Sequence, residues 1–289
     1  MQVLLNGIVS GCVIAVLALS FAVVYLPTRV FHFALGGVHT FIPFVVWALV
    51  SRGAGWPLAV AVAACVGVVL SSACEFLNHA PLARANASVS VHLLSSLALY
   101  TIISQAAALI WGNDPKTLRT SEDVAVSLKG LVLTQSQLIE FLTALVVLIV
   151  AAWCLKKTNL GLQFRGLADN PRQLMLLGYD VWRLRLFAFG LSGLLCVGSA
   201  VPLALDYGFD PNSGLNTLLL AVVAVIIGGR GSFVGPVLGG LVLGIVRSEV
   251  IWTFSGNWQE AATFVLLGLV LLFRPAGLFG TLARLEARE

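Results

Sequence analysis

Polar side chains, Ser192 and Ser199 among them, lie in or beside stretches of the sequence that are otherwise apolar, and nine such residues are the first candidates for chemistry. A polar group at membrane depth is costly to expose to lipid, so it either lines a solute path or hydrogen-bonds to a neighbouring helix. As a set, these hydroxyl, amide and imidazole groups suit a neutral or zwitterionic solute better than an ion. The candidates for a solute path are Asn6, Ser10, His32, His39, Ser95, Ser96, Gln105, Asn216 and Thr217.

The histidines among them could do more than bind a solute. His32 and His39 are seven residues apart, a spacing that puts both on one helical face, where they either line the path or are buried and hydrogen-bonded. No carboxylate lies close by to orient them as metal ligands, so we expect no metal site. A proton-coupled carrier normally needs a carboxylate or histidine relay inside the membrane. No Asp, Glu, Lys or Arg lies at the centre of a predicted span, which argues against such a carrier, and His92 is the one residue that could serve in a relay.

Motifs for enzymatic chemistry are missing from the sequence. It contains no G-x-x-x-x-G-K-[S/T] phosphate loop, so we expect ATP and Mg²⁺ to be bound elsewhere and not by this chain. It contains neither H-E-x-x-H nor G-x-S-x-G, the patterns of zinc proteases and of serine hydrolases. We therefore expect no catalytic residues and no cofactor of its own.

The composition is that of an integral membrane protein. Of 289 residues, 59% are hydrophobic and 10% are charged, whereas soluble domains carry about 25% charged residues. The outer solvent must therefore be a lipid bilayer. The net charge of +4 does not indicate a nucleic-acid partner, because no basic cluster is interleaved with aromatic residues in a soluble segment.

Apolar runs predict a single all-α transmembrane domain over residues 1–289, a bundle of about nine helices with eight or ten as alternatives. The second and seventh runs are short and contain or adjoin glycine or proline, which predicts broken or re-entrant helices. The predicted spans are 3–26, 36–50, 57–77, 89–110, 138–155, 184–205, 214–229, 235–251 and 258–273.

Positive charge in the loops predicts the orientation. The segment 156–183 is rich in Lys and Arg, which predicts that it is cytoplasmic, with the N-terminus outside and the C-terminus inside. By alternation, Arg29, Arg84, Arg230 and the tail with Arg274, Arg284 and Arg288 are also cytoplasmic. The loop 112–137 then lies outside, and its alternating pattern predicts a β-hairpin that turns near Lys129 and Gly130.

Glycines recur at four-residue steps near the end of the chain. Small residues at this spacing let helix backbones approach closely in lipid, which predicts packing within the subunit; an interface that slides during transport is the alternative. The glycines are Gly231, Gly235, Gly239, Gly240 and Gly244, and Gly7 and Gly11 repeat the step in the first span.

The cytoplasmic segment 156–183 contains the clearest local signal. Asn170 followed by Pro171 predicts a helix N-cap and first turn, and Gly178 predicts the helix end, so residues 171–177 form about two turns. Such a helix is either a connector at the lipid surface or a docking element that inserts apolar side chains into a groove of a cytosolic partner.

The segment GLQFRGLADNPRQLMLLGYDV resembles the cytoplasmic loop of the branched-chain amino-acid ABC transporter permeases. Similar motifs extend along most of the chain, among them LLNGIVSGCVIAVLALSFAVVY, APLARANASVSVHLLSSLALY, GGRGSFVGPVLGGLVLGIV and VLLFRPAGLFG. The resemblance implies that the loop couples the chain to an ATPase through Gly161, Arg165, Asn170, Pro171, Arg172, Leu174, Leu177 and Gly178.

This family resemblance also implies the partners: two cytosolic ABC ATPases that bind ATP and Mg²⁺, a second homologous permease in a heterodimer, and a periplasmic solute-binding protein. The implied solute is a branched-chain amino acid or a related small polar molecule such as urea or an amide. One segment departs from the family pattern, because His32 stands where asparagine is usual and Leu35 where histidine is, which leaves the solute open. A self-sufficient secondary carrier or channel for a small neutral solute is the alternative function.

Overall fold

A computed structural model describes residues 1–119, 125–128, 131–229 and 231–278 of the chain. Over these residues the protein is a bundle of α-helices, seven of which are long and apolar enough to cross a membrane, with two shorter apolar helices beside them. The predicted helical membrane fold is therefore confirmed. Arg230, Arg284, Arg288 and the hairpin turn at Lys129 and Gly130 lie outside the described residues.

The membrane-spanning helices begin and end within a few residues of the predicted spans. Several boundaries have a local cause: Pro57 occupies the first turn of its helix, Gly112 ends another with a φ of 88°, and Thr134 forms a capping box with Gln137. The helices are α1 Gln2–Thr28, α2 Ala34–Val50, α3 Trp56–Cys74, α4 Ala80–Arg84, α5 Val89–Trp111, α6 Gln135–Lys157, α7 Asn159–Asp169, α8 Pro171–Leu176, α9 Val181–Asp206, α10 Ser213–Gly228, α11 Val234–Thr253 and α12 Gln259–Phe273.

The two short helices, α2 and α10, are the second and seventh predicted spans. The expectation of a break inside them is wrong, because α2 continues without interruption through Gly36, Gly37 and Pro43. Proline removes one backbone hydrogen bond there, and the surrounding protein shields the helix from lipid. With 17 residues α2 is about 25 Å long, which is less than the hydrocarbon thickness of a bilayer.

Helix α1 occupies the middle of the bundle and is buried almost continuously from Gly11 to Pro27. It packs against α6, α9, α10 and α11, and α11 makes the most extensive contact. The glycine steps of the two helices meet there: a Cβ atom on Gly244 would lie 2.2 Å from the Cα atom of Gly11, and one on Gly240 would lie 2.5 Å from that of Ala15. Only glycine allows the two backbones to come this close.

The other glycines of the series have different positions. Gly235 and Gly239 of α11 face α10, where a Cβ atom on Gly239 would lie 2.0 Å from the carbonyl oxygen of Ala224. Gly231 lies in an exposed turn before α11, so the expectation that it packs one helix on another is wrong.

Helix α3 is followed by one turn of π-helix, Glu75–His79, which leads directly into α4. Glu75 makes a buried ion pair with Arg185 of α9, with 2.5 Å between Oε1 and Nε and side-chain exposures of 3% and 12%. Polar contacts of this kind fix one helix against another where lipid offers no hydrogen bonds. Ser20 of α1 likewise donates to the carbonyl oxygen of Ser192 at 2.7 Å.

A two-stranded antiparallel sheet, β1 Ala125–Leu128 and β2 Leu131–Thr134, lies in the predicted outer loop. Its register pairs Leu128 with Leu131, which confirms the predicted hairpin strands. The side chain of Gln2 bonds to the backbone of Val132 in both directions, at 2.6 and 2.9 Å, and so ties the sheet to the start of α1.

Replacing Gly244 with alanine should destabilise the protein by about 1–3 kcal/mol, because the new methyl group overlaps the backbone of α1. The thermal unfolding midpoint in detergent measures this loss. Gly268→Ala in α12 is the matched control, since no atom beyond its own stretch of helix lies within 4 Å of the position of its added Cβ atom. Equal midpoints for the two variants would contradict the close approach of α1 and α11.

Replacing Arg185 with glutamine should cost about 3–5 kcal/mol, because Glu75 is then left buried without its cation. Arg183→Gln is the control, because that arginine is 81% exposed in its ion pair with Asp180 and should contribute at most about 1 kcal/mol. The thermal unfolding midpoints of the two variants measure these losses of stability. A loss from Arg183→Gln as large as that from Arg185→Gln would contradict a special role for the buried ion pair.

Candidate solute cavity and coupling loop

Three consecutive helical pieces make up the segment 156–183: α7, α8 and the start of α9. The predicted cap is confirmed, because the side chain of Asn170 accepts hydrogen bonds from the backbone N–H groups of Arg172 and Gln173, both at 3.1 Å. Gly178, with a φ of 86°, ends α8 as predicted, and its N–H donates to the carbonyl oxygen of Met175. The short helix is therefore fixed at both ends.

Helix α7 was not predicted, because charged and amide residues interrupt its apolar positions. It is amphipathic: Phe164 and Leu167, three residues apart, are 1% and 2% exposed. Gly161 lets α7 turn back tightly under α6, since a Cβ atom there would lie 1.9 Å from the carbonyl oxygen of Leu155. The spacing of Phe164 and Leu167 was the signal that could have revealed this helix.

The exposed apolar surface of α8 differs from the predicted one. Leu174 is 7% exposed and packs inward with Leu167, so its expected role as an outward anchor is wrong. Leu176 and Leu177 are instead 87% and 74% exposed, and Met175 is half-exposed. Pro171 and Arg172 begin the helix on its exposed side.

Arg165 is exposed on α7 and lines a cavity of about 870 Å³. Arg29 and Lys156 line the same cavity with Asp169, so three cations and one anion meet where α1 and α6 end. This position is next to α8 but is not part of its exposed apolar surface.

A second cavity, of about 690 Å³, lies at the opposite end of the bundle, where α1, α6 and α10 begin and α9 and α11 end. Four of the predicted path residues line it together: Asn6, Ser10, His39 and Thr217. The apolar part of its wall includes Val9, Val13, Ile14, Leu17, Leu203 and Leu220.

The other predicted path residues lie elsewhere. Ser96 accepts a hydrogen bond from the backbone N–H of Ala34 at 3.0 Å, and Ser95 accepts one from the side chain of Asn78 at 2.9 Å, so both join neighbouring helices. Gln105 and Asn216 are exposed on the outside of the bundle. None of these four lines either cavity.

Three of the histidines form a buried cluster away from both cavities. His32 shares a hydrogen bond with Ser71, with 3.2 Å between Nε2 and Oγ, and its ring meets that of His79 edge-on at 6.0 Å. The Nδ1 atoms of His79 and His92 are 3.3 Å apart. Within the described ranges, no group of three or more His, Cys, Asp or Glu side chains is placed to hold a metal ion.

Sequence reasoning missed the charged residues of the 690 Å³ cavity. Glu140, Asp206 and Arg247 all line it. Helix α6 begins at Gln135 instead of the predicted residue 138, which moves Glu140 from the margin of the helix to its second turn. The capping box of Thr134 and Gln137 was the signal that could have placed it.

Three buried polar atoms on the wall of this cavity have no hydrogen-bond partner among the described residues: His39 Nε2, Glu140 Oε1 and Ser199 Oγ. Buried polar groups in proteins are nearly always hydrogen-bonded, so atoms without a protein partner around one cavity are available to hydrogen-bond a polar molecule that binds there. The arrangement can therefore bind a small polar molecule against a largely aliphatic wall.

Comparison with known proteins agrees with this picture. Residues 3–274 match the family described as the branched-chain amino acid transport system permease component. The chain is 27% identical to the high-affinity branched-chain amino acid transport system permease protein BraD of Pseudomonas aeruginosa, over 97% of this chain and 95% of that one. It is 26% identical to the autoinducer 2 import system permease protein LsrC of an Enterobacter species, over 91% and 76%.

Among solved structures, PsaBC from Streptococcus pneumoniae in complex with Fab shares the fold, with a TM-score of 0.52, 11% identity and coverage of 94% of this chain and 91% of that chain. The family model spans nearly the whole chain, as do the apolar helices around the cavity. The chain belongs to the branched-chain amino acid transport permease family, and it is a membrane-embedded ABC permease, a transport subunit and not an ATPase.

Proposed function

We propose that this chain is the transmembrane permease subunit of an ATP-driven importer that moves a branched-chain amino acid or a related small polar solute across the bacterial inner membrane. The observation that carries the proposal is helix α8, which is capped by Asn170 and ended by Gly178 and exposes Leu176 and Leu177 beside a cation-rich segment. A short rigid helix with exposed leucines suits insertion into the groove of a partner protein.

The charges support a cytoplasmic position for α8. Lys156 and Lys157 end α6, and Arg165, Arg172 and Arg183 follow, all at the same end of the bundle. Positive residues in short loops remain on the cytoplasmic side. The N-terminus and the 690 Å³ cavity then lie toward the outside, where a periplasmic binding protein delivers the solute.

The partners follow from the family. ABC permeases in general work with ATPase subunits and a binding protein. For this chain we propose two cytosolic ATPases, which hold ATP and Mg²⁺, and a second, non-identical permease; Asn170, Arg165 and the exposed leucines couple the chain to the ATPases. The chain itself supplies the solute path through the cavity lined by Asn6, Ser10, His39 and Thr217.

Affinity purification of the tagged chain from its host membranes in mild detergent tests the proposal. Mass spectrometry should find two P-loop ATPases and a second permease in stoichiometric amounts. Recovery of the chain alone, still able to move solute into vesicles without ATP, would instead favour a self-sufficient secondary carrier or channel.

Replacing Leu176 with aspartate should release the ATPases, because the exposed leucine no longer fits an apolar groove. A central contact of this kind contributes about 2 kcal/mol or more to binding. The measurement is the amount of ATPase recovered with the tagged variant. Leu162→Asp is the control, a leucine that is 63% exposed on α7. Full ATPase recovery with Leu176→Asp would remove the docking assignment.

Replacing Asn170 with alanine should weaken coupling without unfolding the membrane part. The change removes the two capping hydrogen bonds of α8, which costs about 1 kcal/mol. Solute-stimulated ATP hydrolysis should fall, by roughly fivefold for 1 kcal/mol. Asn170→Asp keeps an acceptor oxygen and should restore most of the activity. Equal activities for the alanine and aspartate variants would show that the cap is not needed.

A further inference from the structure

The carboxyl group of Glu140 is the one acidic group in the cavity wall for which the described residues provide no ion pair. Glu140 is 1% exposed, and its Oε1 atom has no hydrogen-bond partner within the described part of the chain. Burying a carboxylate without a partner is strongly unfavourable, and a cation or a hydrogen-bond donor that binds it, or a proton that it takes up, offsets that cost.

The charged neighbours of Glu140 are already engaged with other groups. Asp206, on the same cavity, binds Arg119 with 3.0 Å between Oδ1 and Nη2. Arg247 of α11 donates to Gln259 Oε1 at 2.7 Å and to Thr263 Oγ1 at 3.2 Å, and these two bonds hold its guanidinium group against α12. Among the described residues, neither Arg119 nor Arg247 forms an ion pair with Glu140.

The position of Glu140 directs it toward the cavity contents. Helix α6 packs on α1, and the first turns of α1 contribute Asn6 and Ser10 to the same wall. His39 Nε2 and Ser199 Oγ, also without partners among the described residues, lie on the same wall. The cavity thus combines one unpaired carboxyl group with neutral polar atoms and aliphatic side chains.

We infer that Glu140 is a specificity-determining residue that binds the protonated amine of the transported solute. This inference rests on the proposed function, since it takes the 690 Å³ cavity as part of the solute path. An ammonium group supplies both the positive charge and the N–H donors that the carboxylate lacks. A solute of the same shape without an amine leaves Glu140 unpaired and is disfavoured.

Carbodiimide labelling of the whole purified complex tests the inference directly, because dicyclohexylcarbodiimide modifies carboxyl groups in apolar surroundings. Mass spectrometry follows the modification of Glu140 in the presence of isoamylamine or of 4-methylpentanoate, which have similar aliphatic bodies and differ in the charged group. We expect isoamylamine to reduce labelling of Glu140 by about tenfold or more and 4-methylpentanoate to leave it unchanged. Equal protection by both probes, or none by isoamylamine, overturns the inference.

Variants give a second readout. Isoamylamine should raise the thermal unfolding midpoint of the wild-type complex, because a ligand that binds the folded state stabilises it, and Glu140→Gln should abolish that rise. Glu249→Gln is the matched control, because Glu249 is exposed on α11 and lies outside the cavity. An undiminished rise in Glu140→Gln contradicts the inference.

The two proposals fail in different ways. If the purified complex contains ATPases but isoamylamine neither protects Glu140 nor raises the midpoint, the role of Glu140 is wrong and the importer assignment remains. If no ATPase is recovered yet isoamylamine protects Glu140, the amine site is supported and the importer assignment is wrong.

Discussion

The near-contact of the α1 and α11 backbones is the constraint on which the other helices depend. Lipid gives helices no hydrophobic reason to associate, so packing must come from close van der Waals contact, and the facing glycines Gly11 and Gly244 permit it. With α11 held this closely, α1 lies inside the bundle, and α6, α9 and α10 complete its surroundings. Both cavities lie around α1, one at each of its ends, so their shapes depend on the same contact.

Buried pairs of polar side chains fix the orientation of the packed helices relative to one another. Arg185 lies on the second turn of α9, close after the short helix α8, and its ion pair reaches Glu75 in the π-helical turn. The same turn carries Asn78, which donates to Ser95 of α5. A continuous set of contacts therefore links the segment that contains α7 and α8 to α3, α5 and α9, and π-turns of this kind are frequent at functional sites.

Much of this fold follows from the sequence, because the length of an apolar run and the capping of a helix depend only on residues that are close together in the chain. Nine apolar runs match nine apolar helices in the described residues, and Asn170 caps α8 as its type and position predict. The direction of a side chain is not a local property: Leu174 turns inward because α7 and α9 supply apolar neighbours that its own helix does not reveal. Glu140 was overlooked for a related reason, since its importance comes from a cavity wall assembled by distant segments.

The shortness of α2 and α10 determines how the protein responds to bilayer thickness. Both helices are largely buried inside the bundle, whereas α5, α6 and α12 present most of their surface outward; only 11% of the apolar segment Gly256–Phe273, which contains α12, is buried. The lipid chains therefore match their length to the outer helices, and hydrophobic mismatch acts on these alone. A membrane that is a few ångströms thicker or thinner therefore changes the tilt of the outer helices. The two inner helices do not contact lipid extensively, so their short length carries no energetic penalty.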